Sequence, residues 1–164
     1  MTATIIRPLT GRIQIHGLRA PRDKEVSNKI MFKNAAGRGI RPTRVPADEG
    51  QPYWKGYWTV SREHLTDIAE TIAIRDGQVL IEMHYSPTEK CDDRCQKAKG
   101  DDCTCSCEGE HHGKAQQASW LAVGETTLVR GSGPRIVTRI LEREQAEADS
   151  HARVLEMIRK MNGQ

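Results

Sequence analysis

YWKGYWTVSREHLTDIAETIAIRDGQVLIEMHY, residues 53–85, reads as a strand, a helix and a second strand in direct succession. Over residues 53–60 a period of two puts Trp54, Trp58 and Val60 on one face and Tyr53, Lys55, Tyr57 and Thr59 on the other. Ser61 has the chemistry of a helix N-cap, and Glu63 stands in the first turn, where the helix dipole favours an anion. Leu65, Ile68, Ala69 and Ile72 then recur at helical spacing and mark one apolar stripe. The Arg75-Asp76-Gly77 turn leads into residues 78–85, where Val79, Ile81, Met83 and Tyr85 share a strand face.

Upstream, residues 11–18 alternate as a strand, with Ile13 and Ile15 opposite Arg12, Gln14 and His16. Residues 24–34 fit neither period, and residues 35–52, rich in glycine, proline and basic side chains, read as a loop. Downstream, residues 119–130 and 135–141 read as two further strands joined through Gly131-Ser132-Gly133-Pro134. A helix over about residues 141–161 closes the chain. Its stripe of Ala148, Ala152, Leu155 and Ile158 is expected to dock on its own domain, because an alanine-rich stripe is a weak seam for pairing with a second copy. These elements predict one α+β domain: a small mixed or antiparallel sheet with one packed helix, an inserted Cys/His metal knuckle and a C-terminal helix. Residues 1–52 form a basic segment with one strand and a Gly/Pro loop, 53–140 the metal-knuckle core, and 141–164 the C-terminal helix.

The chain of 164 residues is long enough for one domain with a core, and 37% apolar with 29% charged residues suits a globular protein. No apolar run approaches the roughly 20 residues of a transmembrane helix. Residues 1–10 lack the apolar stretch of a secretory signal, so the expected location is the cytoplasm, without a membrane partner. Charge is uneven. Residues 1–44 carry ten Lys/Arg against Asp23 and Glu25, a net +8, which leaves −5 for the rest of a chain whose total is +3. Such a basic block favours polyanions, although a solvated arm has the same composition.

All five cysteines fall between Cys91 and Cys107, in CDDRCQKAKGDDCTCSCEGEHHG, residues 91–113. An odd cysteine count without an export signal points to metal ligands before disulfides. Cys91 and Cys95 share one face of a helical turn, and an extended Cys103-Thr-Cys105-Ser-Cys107 run points three sulfurs to one side. Gly109 and Gly113 permit the turn that brings His111 or His112 alongside. Thiolate and imidazole are the zinc donors, and four of them close a tetrahedral site. One zinc held by Cys91, Cys95, Cys103 and either Cys107 or His112 is the simplest assignment; seven ligands with one bridging thiolate would instead hold two zincs. An iron–sulfur cluster is the competing cofactor, since four thiolates satisfy it as well.

The stretch TEKCDDRCQKAKGDDCTCSCEGEHHG, residues 88–113, resembles a knuckle carried by small uncharacterised proteins of actinobacteria and their phages, in which an aromatic strand and a helix precede the cysteines as WTVSREHLTDIAETI does here. The resemblance covers about residues 53–130 and is specific over 91–113. The family more often has a small or polar residue at the position of His111, which favours His112 as the ligand. The resemblance implies a folded, metal-bound unit and carries no activity with it.

Three classes of function remain. Tyr53, Lys55 and Tyr57 on one strand face, preceded by Arg38, Arg41 and Arg44, form a surface that would stack bases and neutralise phosphates of DNA or RNA. The same tyrosines would equally cover the second face of a sheet. A nucleic-acid-associated accessory role with a structural zinc is therefore the leading expectation. A protein-binding adaptor or inhibitor of phage or mobile-element type is the alternative. A zinc hydrolase using His111-His112 beside Glu108 and Glu110, or an iron–sulfur redox sensor, ranks below both, because no H-E-x-x-H, deaminase, P-loop or nucleophile-elbow motif occurs. His16, His64, His84 and His151 read as ordinary polar residues.

Overall fold

A computed structural model describes residues 2–18, 32–34, 37–52, 55–86 and 135–162. Six strands form one sheet: β1 (Ala3–Arg7), β2 (Ile13–His16), β3 (Thr43–Val45), β4 (Tyr57–Val60), β5 (Gln78–Tyr85) and β6 (Arg135–Glu142). Their order across the sheet is β3-β4-β2-β1-β5-β6. β1 runs parallel to β5 and every other pairing is antiparallel, so the sheet is mixed. A 3-10 turn (Arg62–His64) and helix α1 (Leu65–Asp76) carry the chain from β4 to β5, past β2 and β1. Helix α2 (Arg143–Asn162) follows β6 directly. The architecture is α+β, as the patterning predicts.

One face of the sheet is covered. Ala3, Ile5, Ile13, Ile15, Val60, Val79, Ile81, Met83, Val137 and Leu141 alternate inward, and α1 lays Leu65, Ile68, Ala69, Ile72 and Ala73 onto them, all at most 1% exposed. Each such Ile, Leu, Val or Met side chain contributes about 1.5–3 kcal/mol on leaving water. The helical stripe and the β5 face thus appear where the periodicity puts them. Gly77 closes α1 with φ 96°, a left-handed conformation that a side chain would strain, and its N–H bonds the Ala73 carbonyl at 2.8 Å.

Several expectations need correction. β1 was not foreseen, because Arg7 occupies an inward position of its alternation; the guanidinium is accommodated 4.6 Å over the Tyr85 ring. β3 lies inside the predicted loop as an edge strand on β4. The β4 strand starts at Tyr57, because Lys55 is held in a turn by its N–H bond to the Pro52 carbonyl, 2.9 Å. Ser61 opens the 3-10 turn, not α1, and makes no side-chain cap bond. The helix α2 docks through a different face from the predicted one. Ala146 is buried, and Asp149, Ser150, Arg153 and Met157 are half-buried, whereas Ala148, Ala152, Leu155 and Ile158 are exposed. Arg153 explains the choice: its guanidinium pairs with Glu70 of α1, 2% exposed, and lies 3.7 Å from Asp67. The strand expected over residues 119–130 lies outside the described residues.

Candidate nucleic-acid interface

The second sheet face is not covered by α1 or α2, and strand register sets which residues share it. Val45, Tyr57, His16, Thr4, Leu80 and Ile140 form one cross-strand row, and Thr43, Thr59, Gln14, Ile6, Glu82 and Thr138 the next. In the first row the Tyr57 and His16 rings stack, with centroids 4.7 Å apart and planes 23° from parallel. Gln14 Oε1 lies 3.1 Å from His16 Nε2 and fixes the imidazole along the strand. Burial lowers the His16 pKa from its usual value, and the nearby Glu82 carboxylate opposes that shift. Glu82 is itself bonded to His84 Nε2 at 2.7 Å.

Beside Tyr57 the chain folds into a recess of about 290 Å³, lined by Val45, Pro46, Ala47, Asp48, Gln51, Lys55 and Tyr57. Two local features build it. The Gln51 N–H bonds the Asp48 carbonyl at 2.9 Å in a turn where Gly50 takes φ 81°. Gly56 lets β4 approach β3 closely: a Cβ there would stand 2.6 Å from the Val45 carbonyl oxygen and 2.8 Å from the Ala47 nitrogen. The recess is small for a ligand pocket and offers an aromatic wall, an ammonium, a carboxylate and an amide.

Of the predicted interface residues, Lys55 and Tyr57 are brought together on this recess. Arg38 and Arg41 are exposed on the segment before β3. Arg44 sits elsewhere: it shares the helix-covered side with its register partner Trp58, 5.4 Å over that ring, and donates to its neighbour Val45's carbonyl at 3.2 Å. Tyr53 lies outside the described residues. His16, Asp48 and Gln51 were not singled out by sequence reading. For His16 the alternation already placed it opposite Ile15, but nothing local announces Tyr57 as its neighbour.

Cys91, Cys95, Cys103, Cys105, Cys107, His111 and His112 all lie outside the described residues. Among the described residues no group of three His, Cys, Asp or Glu side chains is arranged to hold a metal. What the fold defines is the mounting of the cysteine segment. β5 ends at Tyr85 and β6 begins at Arg135, and these two residues are register partners. The chain therefore leaves and re-enters at adjacent points on one end of the sheet. Because β4 runs parallel to β5, the Tyr57 recess belongs to the opposite end. Near the mounting end Arg62 donates to the carbonyls of Pro8 and Leu9 at 2.9 and 3.0 Å, tying the β1–β2 connection to the start of the helical segment.

No helix among the described residues is long and apolar enough to cross a membrane. Compared with protein-family models, curated proteins and solved structures, the chain matches none.

Proposed function

We propose that this protein is a zinc-stapled nucleic-acid-binding module that takes single-stranded DNA or RNA on the sheet face opposite α1. The observation that carries the reading is the stacked Tyr57–His16 pair bordering a recess that Lys55 also lines. An aromatic face accepts any base by stacking, and an adjacent ammonium neutralises its phosphate. Asp48 and Gln51 add an acceptor and an amide of the kind that meets base edges. Arg38 and Arg41, exposed on the segment leading into β3, extend the positive surface along a strand. Zinc is the metal that suits five thiolates and two imidazoles clustered in one segment, with Cys91, Cys95, Cys103, Cys105, Cys107, His111 and His112 as the donor set. Its role is structural: binding there supplies folding free energy to the segment between β5 and β6.

The test is fluorescence anisotropy with labelled single-stranded DNA and RNA over a range of salt. Wild-type binding should weaken with salt. Tyr57→Ala should cost about 1–3 kcal/mol, the worth of one stacked base. Lys55→Ala should reduce the salt slope by about 0.7. Undetectable binding at low salt, or equal affinity in Tyr57→Ala, refutes the proposal.

A further inference from the structure

Strand order gives the Tyr57 ring two different flanks. β4 lies between β2 and β3, so Tyr57 has His16 on one side and its register partner Val45 on the other. Rings that stack between neighbouring strands stand on edge above the sheet, and the second face of Tyr57 therefore looks toward β3. The recess opens on that side, with Val45, Pro46 and Ala47 as its apolar lining. Two turns bring polar groups to it. The Gln51 N–H bonds the Asp48 carbonyl and the Lys55 N–H bonds the Pro52 carbonyl, both at 2.9 Å. The first and last residues of such a turn are neighbours, with Cα atoms less than about 7 Å apart, so the Asp48 carboxylate and the Gln51 amide adjoin. The side chains of Asp48, Gln51 and Lys55 are exposed and, among the described residues, hold no hydrogen-bond or ion-pair partner.

The carboxylate decides what enters. Asp48, with Glu49 next to it, repels a phosphate, whereas a base offers N–H groups that a carboxylate accepts. Guanine alone among the bases has two adjacent donors on its Watson–Crick edge, N1–H and N2–H, which the two oxygens of one carboxylate accept together. Adenine, cytosine and thymine or uracil each present a single donor group there. The acceptor beside the guanine pair is O6, a group that lysine recognises. We propose that the recess is a guanine-selective base site: the base stacks on the second face of Tyr57, Asp48 accepts N1–H and N2–H, and Lys55 donates to O6. The assignment rests on the nucleic-acid reading above and names the base that this site takes.

Fluorescence anisotropy on the full chain at one low salt concentration tests this. Short labelled oligothymidine strands carrying a few separated guanines, adenines, cytosines or hypoxanthines are compared with the plain strand. All carry the same phosphates, so counterion release cancels and base readout remains. Adenine, an equally large purine, controls for stacking. The guanine strand should bind at least about fivefold tighter than the plain, adenine and cytosine strands, the low end for a bidentate base contact because the recess is open to water. Hypoxanthine, which is guanine without its N2 amine, should lose most of that preference. Asp48→Asn, which keeps the size of the side chain, should bring the ratio of guanine-strand to plain-strand affinity below about two. The hypoxanthine comparison uses the wild-type chain alone, so it decides the question whatever Asp48→Asn does to the loop. Equal affinity for the guanine and plain strands, a preference for cytosine, or a guanine preference that survives hypoxanthine or Asp48→Asn overturns the guanine site and leaves nucleic-acid binding standing. Absence of binding to every strand overturns both.

Discussion

Replacing Arg153 by methionine should undock α2, because it removes the cation that faces a buried carboxylate. The Glu70 side chain is 3% exposed and Asp67 15% exposed, and the Arg153 guanidinium serves both. Breaking a buried pair by deleting one partner costs about 3–5 kcal/mol, most of it the penalty of the charge left behind. The side chain of Arg153 is itself 30% exposed, so water screens part of the interaction and the lower end, about 3 kcal/mol, applies. For a domain of this size that is a fall in Tm of about 6–12 °C. Glu70→Gln should cost less, about 1 kcal/mol, because Arg153 keeps Asp67 and can turn toward water. Combining Arg153→Met with Glu70→Met should recover part of the loss, since an apolar pair of similar volume replaces the buried ion pair and only Asp67, 15% exposed, is left without its arginine. Urea denaturation followed by circular dichroism, analysed as a double-mutant cycle, measures the coupling. A loss below about 0.5 kcal/mol for Arg153→Met, the range of an ordinary surface substitution, would refute the assignment of this pair as the docking contact.

Gly56→Ala should destabilise the protein by about 1–3 kcal/mol, since its Cβ meets the backbone of Val45 and Ala47 and the β3–β4 edge must shift; thermal melts check this, and an unchanged Tm would show that the edge yields freely. Stability should fall on acidification through about pH 6.5, because the pKa of His16 is lowered in the folded state and the unfolded chain then binds the proton more readily. In His16→Phe, which keeps a ring against Tyr57 but cannot titrate, Tm should depend less steeply on pH over that range; an equal slope removes His16 from the linkage. Cys91→Ser or Cys103→Ser should lower zinc per chain and the cooperativity of unfolding together, read by elemental analysis of anaerobically purified protein; unchanged stoichiometry in both variants sinks the ligand assignment, and iron with a brown absorption band would replace zinc by an iron–sulfur cluster.

Local pattern alone determined α1, β5 and the α+β class. In each, side chains of one kind recur at the period of one element, and burial follows that period: Leu65, Ile68, Ala69 and Ile72 on α1, and Val79, Ile81, Met83 and Tyr85 on β5. The metal proposed for the cysteine segment rests on sequence alone, on the preference of zinc for thiolate and imidazole donors. Only the tertiary structure decided the rest. β1 escaped because Arg7 interrupts an apolar alternation and is accommodated by a ring far away in sequence, Tyr85. α2 turned its apolar stripe outward because Glu70 and Asp67, on another helix, attract Arg153 more specifically than an alanine stripe attracts a sheet. The aromatic recess is likewise non-local: Lys55 and Tyr57 are neighbours in the chain, but antiparallel pairing brings His16 beside Tyr57, and the loop after β3 supplies Asp48 and Gln51. Periodicity reports which way a side chain points from its own backbone, and strand pairing and helix docking decide what it meets there.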